Sequence, residues 1–258
     1  MHDQTTTAGG IVQKNLPQPL ADKDIADDMS KLRTSIKTHV ENFHHLEAVN
    51  PVPHEQLALQ RLGESDAEAA RFASLLPEPA TRAAALRALI AISVFQRIEH
   101  RGNPELTLLP PEVVSCLHSM PEVGNPQVTA AFKSKWRVIT ARLVDSFYAE
   151  SKFGPNDPRS RHIKRALDAL SPVLQPYMSK EGLMKARGSL EAIMRQAAKL
   201  GLKLFSQPST FAYLWDDRAG TGKNSLVVFP GLSLVADENG RVLSSPKRLT
   251  EDDSVRVL

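Results

Sequence analysis

From Ala80 to Ile98 the chain carries RAAALRALIAISVFQRI, the most apolar run in the protein. Its apolar residues fall on nearly every side of a helical wheel. A helix of that kind cannot lie on a surface and must be enclosed on several sides by other elements. Pro77 and Pro79 fence it at one end and Arg101-Gly102-Asn103-Pro104 at the other. The longest uncharged apolar stretch within it, Ala88 to Phe95, is too short for a bilayer, which takes roughly 20 residues. A central helix inside a bundle is therefore expected.

The segments available to enclose it are mostly helical. In DKDIADDMSKLRTSIKTHVENF, apolar residues stand at Ile25, Met29, Leu32, Ile36, Val40 and Phe43, a continuous stripe at helical period. Asp22, Asp24, Asp27 and Asp28 crowd its start, where carboxylates favour the positive end of the helix dipole. A second helical segment is expected from His54 to Leu76, bent at Gly63 and recapped at Ser65 or Asp66. A short helix should follow Pro110-Pro111, with Val113, Val114 and Leu117 inward. From Gly124-Asn125-Pro126 a long helix runs to about Tyr148, and its stripe of Phe132, Trp136, Ile139, Leu143 and Phe147 predicts the buried face. After the turn-rich FGPNDP come two basic helices, from Arg159 to Tyr177 and from Gly182 to Leu204. Pro172 and Pro176 are expected to shorten or kink the first, and Leu183, Leu190, Ile193, Ala197, Leu200 and Leu204 to face inward on the second.

Beyond Gln207 the period changes. FAYLW, SLVVF, LSLVA and RVL are short aromatic or β-branched runs, and Asn239-Gly240 between the last two signals a hairpin. The expected fold is mainly α: a single bundle-like domain of about six or seven helices over residues 17–245, ending in a small antiparallel β-hairpin or meander at about 211–243. Residues 1–16 read as a flexible tail and 246–258 as a polar one.

Composition excludes several classes. With 258 residues, 41% hydrophobic and 24% charged, the chain can bury a full core. The formal charge of +3 is small, and 32 basic against 29 acidic residues give no general case for nucleic acid. Cys116 is the only cysteine, so neither an internal disulfide nor a cysteine zinc site can form. As a lone Cys beside Leu117 it is expected to be a small buried hydrophobe. MHDQTTTAGG has no apolar core of a signal peptide, so an intracellular, cytoplasmic protein is expected.

Gly220-Thr221-Gly222-Lys223 raises the question of a phosphate loop. The working pattern needs an earlier glycine, a Ser/Thr after the lysine and a following helix. Here Asp217 stands at the earlier glycine, Asn224 follows the lysine, and the strand-like SLVVF comes next. The stretch instead predicts a hairpin loop from FAYLW to SLVVF with Lys223 solvated at its tip, and nucleotide binding is the weakest of the functional readings. His44 and His45 diverge on a helix, with His44 beside the Phe43 stripe, and His54-Glu55 lacks the spacing of a zinc-protease helix. No nucleophile elbow and no carboxylate pair stands out, so no catalytic residue, metal or cofactor is expected.

Charge distribution is more informative. From Arg159 to Lys203 there are ten basic residues against three acidic, while Asp22 to Glu47 holds six acidic against four basic. Basic helices can lie against acidic ones, or present a face for an anionic ligand or phosphoprotein through Arg161, Lys164, Arg165 and Arg187. No aromatic residues interleave with these cations, so single-stranded nucleic acid has no support. Ser245-Pro246-Lys247-Arg248 is a candidate phosphosite at Ser245.

DKDIADDMSKLRTSIKTHVENF, LLPPEVVSCL, KWRVITARLV, LFSQPSTFAYLW and LVVFPGLSLVADENG, in that order, resemble blocks of an uncharacterised helical family from filamentous ascomycete fungi. The resemblance spans about residues 20–245 and implies no activity, cofactor or site residue. The functional expectation is a non-catalytic interaction or scaffold module with protein partners, possible as a homo-oligomer, and the anion-binding face is the alternative.

Overall fold

The computed structural model describes residues 16–49, 59, 65–122, 124–148, 153–154, 156–179, 182–215 and 225–257. Among them are seven α-helices: α1 (Asp22–Phe43), α2 (Asp66–Leu75), α3 (Pro79–Ile98), α4 (Pro111–Ser119), α5 (Pro126–Tyr148), α6 (Pro158–Leu174) and α7 (Leu183–Phe205). Five strands follow: β1 (Thr210–Leu214), β2 (Ser225–Phe229), β3 (Gly231–Ala236), β4 (Val242–Thr250) and β5 (Asp253–Arg256). The protein is mainly α with a C-terminal antiparallel part. No helix among the described residues is long and apolar enough to cross a membrane.

The apolar run forms α3, and it is enclosed as its pattern demands. Ala85, Leu86, Ala88, Ile90, Ala91 and Val94 are fully buried. Helices α1, α2, α6 and α7 and strand β2 all pack on it. At the crossing of α3 and α7 the backbones come very close. A Cβ built on Gly201 would stand 2.8 Å from Ile98 Cβ and 2.9 Å from Leu109 Cδ2.

The stripe of α1 is buried at Ile25, Met29, Leu32, Ile36 and Val40. Its acidic flank meets α7, where Asp28 pairs with Lys203 and Ser35 Oγ donates to Gln196 Oε1 at 2.9 Å. Ser65 caps α2, accepting from Glu68 N at 3.3 Å, while its hydroxyl donates to Glu68 Oε2 at 3.0 Å. The first of these bonds is the N-cap expected of Ser-x-x-Glu, and the second is a side-chain link rather than the reciprocal bond to the Ser65 backbone N–H. Residues 51–58 and 60–64 lie outside the described residues. Helix α6 continues through Pro172 and tightens into a 3-10 turn at Gln175–Tyr177, which holds Pro176.

Arg82 is a polar intruder in α3 that no stripe analysis singles out. It is fully buried, and it donates to the carbonyls of Leu76 (Nε, 2.7 Å), His45 (Nη1, 3.0 Å), Glu47 (Nη1, 2.6 Å) and Pro77 (Nη2, 2.5 Å). Its guanidinium also lies 5.0 Å from the Tyr177 ring centroid. One side chain thus ties α3 to the segments that leave α1 and α2.

The strands form two small sheets, β1-β3-β4 and β2-β5, all antiparallel. The hairpin at Asn239-Gly240 is present: β3 and β4 pair, Gly240 takes a left-handed φ of 71°, and Asp237 N donates to Arg241 O at 3.0 Å. The hairpin expected between FAYLW and SLVVF is not formed, because β1 pairs with β3 while β2 pairs with β5. The reason is burial. Strand β2 carries apolar residues on both faces and lies against α3, with Val228 and Phe229 in the core. Phe95 of α3 stands where the sheets converge, its ring 4.7 Å from Tyr213 on β1 and 5.1 Å from Phe229 on β2. Lys223 and the rest of 216–224 lie outside the described residues.

The polar tail expected over 246–258 is corrected as well. Strand β4 runs on to Thr250, and β5 is held by Arg87 of α3 pairing with Asp253 and by burial of Val257. Residues 1–15, expected as a flexible tail, lie outside the described residues.

Candidate functional site

Helix α5 is where structure and sequence differ most. Its apolar stripe was expected to face the core, yet Phe132, Leu143 and Phe147 are 63%, 76% and 53% exposed, and Val128 is 45% exposed. Ile139 and Trp136 are half-buried, the latter edge-on to Phe205 with ring centroids 6.0 Å apart. The buried face holds Thr129, Ser134, Arg137, Val138, Ala141 and Tyr148 instead.

Polar hooks explain this orientation. Ser134 Oγ donates to Pro208 O, and Tyr148 OH to Glu112. Arg137 donates to the carbonyls of Pro208 at 3.4 Å and Ser209 at 3.2 Å. These carbonyls lie just past the end of α7, where the last C=O groups have no partner within the helix. Burial lowers the Arg137 pKa to about 10, with Arg101 adding repulsion. A buried guanidinium must keep such partners, so α5 is turned with Arg137 inward. The β3–β4 turn then seats on the same helix, with Gly240 so close that an added Cβ would lie 2.8 Å from Ala130 Cβ.

The outward face is organised. Val128, Phe132, Ile139, Leu143 and Phe147 share one side of α5 at steps of 4, 7, 4 and 4 and span about 28 Å of helix. Lys135 and Arg142 are both exposed. They stand seven residues apart, so they line one edge of the stripe as flanking residues line a coiled-coil seam. Arg142 lies 3.6 Å from Asp145, and Lys135 has no acidic partner among the described residues. Sequence reading found the stripe and missed these flanks, whose spacing becomes a signal only once the stripe is known to face solvent.

The four basic residues singled out above do not converge on one site. Lys164 and Arg187 are brought together by Asp168, at 2.9 and 2.8 Å, and hold its carboxyl below the usual carboxylate range. Arg165 turns to Glu105 at 4.0 Å, and Arg161 is exposed on α6. Arg159, from the same basic run, is fully buried, paired with Asp157 at 2.8 Å and stacked 4.7 Å from the Tyr148 ring centroid.

Of the histidines, His44, expected at the surface or its boundary, is buried just past the end of α1, where it bridges to Met178, and it faces His39, which carried no sequence signal. Their ring centroids are 5.3 Å apart, and His39 Nδ1 is 3.0 Å from Ser189 Oγ. Burial lowers both pKa values to about 4, with the neighbouring imidazoles adding to the shift. No group of three or more metal-ligating side chains occurs among the described residues. Cys116, expected to be buried, is exposed, because Val113, Val114 and Leu117 take the inward face of α4. Ser245 is exposed on β4 rather than in a tail, within the irregular stretch between the pairs Leu234↔Lys247 and Ala236↔Val242. Pro246 fits there because it has no N–H to give to a ladder.

Comparison with protein-family models, with curated proteins and with solved structures finds no match to this chain.

Proposed function

We propose that the protein is a non-catalytic interaction module that docks an acidic amphipathic helix of a partner protein along α5. The observation that carries this reading is the outward stripe of Phe132, Leu143 and Phe147 with Lys135 and Arg142 along one edge. Large apolar side chains left in water at helical spacing mark an interaction surface. Each gains about 1–2 kcal/mol when a partner removes it from water. A helix is the complementary shape, since a side-by-side helix places its own apolar residues between those of α5.

Charge decides the partner's character. Carboxylates on the partner would meet Lys135 and Arg142 and fix register and orientation. An antiparallel second copy of α5 would set these cations against their own counterparts, so self-association is the less favoured occupant. The anion-binding reading of the α6–α7 face draws less support, because Lys164, Arg165 and Arg187 already have acidic neighbours within the chain.

The test uses a photo-crosslinking residue at position 143 in cells that make the protein, with and without Phe132→Glu. Crosslinks to an acidic helical segment of another protein, lost in Phe132→Glu and kept in Lys164→Glu, are expected. Crosslinks to a second copy of the chain, or crosslinks that Phe132→Glu leaves unchanged, overturn the reading. Both variants change exposed residues, so folding should be unaffected.

A further inference from the structure

A second site lies beside the stripe, on the flank of α5 that carries Arg142. Between α5, α7 and residues 17–20 there is a cavity of about 340 Å³, within the usual range of ligand pockets, about 300–1,000 Å³. Val138 and Ala141 of α5 and Leu202 of α7 form its inner wall, and Pro17, Pro19 and Leu20 close it from outside. The closing strap is pinned: Leu20 N donates to Gln207 Oε1 at 2.8 Å, and Gln207 Nε2 donates to Lys203 O at 3.0 Å. The two prolines bring no N–H group to the cavity, so that wall is apolar as well as stiff.

The mouth has the opposite character. Arg142, Lys199 and Lys203 line it with one carboxylate, Asp145. Lys203 is already paired with Asp28, and Arg142 lies 3.6 Å from Asp145. Lys199 is exposed on α7 and has no acidic partner among the described residues. Of the other polar groups of the lining, Ser206 Oγ donates to Lys203 O at 2.7 Å, Tyr148 OH donates to Glu112, and Gln18 is exposed on the strap. What is left for a ligand is an apolar chamber with an unpaired ammonium at its entrance.

We propose that this cavity binds an acyl-chain carboxylate, tail inward and head on Lys199 with Arg142 beside it. At about 30 Å³ for each atom-sized unit, the volume of one water in the liquid, the chamber takes a chain of about ten carbons. With Arg142, Lys199 and Lys203 against the single carboxylate of Asp145 at the entrance, a cationic head is repelled and an uncharged one forfeits the charge attraction, so charge sets the preference among ligands of equal tail. This site goes beyond the helix-docking stripe; the two share Arg142, and Lys199, which the stripe does not use, distinguishes them.

Calorimetric titration with sodium decanoate tests the proposal, with decan-1-ol and decyltrimethylammonium as ligands of equal tail. Decanoate should bind at least tenfold more tightly than either. Lys199→Glu should weaken decanoate at least tenfold while leaving decan-1-ol within twofold, and Ala141→Phe should remove binding of all three by filling the chamber. Lys199 is exposed, so its variant keeps the test sound if Ala141→Phe fails to fold. Absence of decanoate binding, equal affinity for decyltrimethylammonium, or decanoate binding unchanged by Lys199→Glu each overturns the proposal.

Discussion

Replacing Arg82 by Met keeps a long apolar stem and removes the guanidinium. The wild-type group is fully buried and gives hydrogen bonds of 2.7, 3.0, 2.6 and 2.5 Å to four carbonyls. A hydrogen bond to a charged group contributes about 1.5–3 kcal/mol net, so four of them set a ceiling near 6–12 kcal/mol. Two corrections lower it. Removing the cation also removes the cost of burying it, and carbonyls near the surface, such as that of the exposed Glu47, can be rehydrated. A net loss of about 3–5 kcal/mol is expected, comparable to breaking other buried charged groups. For a chain of this length that lowers Tm by about 10 °C. Urea unfolding followed by far-ultraviolet circular dichroism measures it as a lower midpoint at unchanged slope. Arg82→Lys should recover less than half of the loss, because one ammonium cannot span carbonyls on two separate segments. If Arg82→Met unfolds within about 1 kcal/mol of wild type, Arg82 does not fasten α3 to those segments and the reasoning fails.

The same logic of burial gives further expectations. His39 and His44 have folded pKa values of about 4 against an ordinary 6.5. The unfolded chain therefore binds protons first as pH falls: the stability these two histidines contribute is full above pH 6.5 and is lost between 6.5 and 4, while His100, lowered to about 3 by burial, extends the loss further down. His39 and His44 each contribute up to about 3 kcal/mol, and His44→Phe should flatten the profile in urea melts at pH 7, 6 and 5; an unchanged profile refutes the assignment. On α7, Gly188→Ala should stabilise by about 0.5–1 kcal/mol, since nothing lies within 4 Å of the new Cβ. Gly201→Ala should instead destabilise by about 1–2 kcal/mol, because contacts at 2.8 and 2.9 Å outweigh the gain in helix propensity. Equal shifts in the two melts would show that the α3–α7 crossing tolerates a methyl group.

Local pattern determined most of the helical elements. The stripe of α1, the all-round apolar surface of α3, the cap at Ser65 and the turn at Asn239-Gly240 each act over a few residues. Such signals are complete in the sequence because they need only the period, the dipole or one residue's φ. What each element meets is another matter. Leu183 belongs to the α7 stripe by spacing but lies 50% exposed beyond the packed length of the helix. Strand β2 reads as the hairpin partner of β1, yet burial against α3 gives it to β5.

Helix α5 shows the division most clearly. Its period was legible, and Phe132, Leu143 and Phe147 mark its apolar side in the sequence. Only the tertiary structure decided that this side looks outward, because Arg137, Ser134 and Tyr148 find their acceptors on elements distant in the chain. The cavity beside Arg142 is equally invisible beforehand, since Leu20, Ala141 and Lys199 are brought together from three separate segments. A periodic pattern identifies a helix and its two faces, but the partners that bury one of them and leave the other in water are a property of the whole fold.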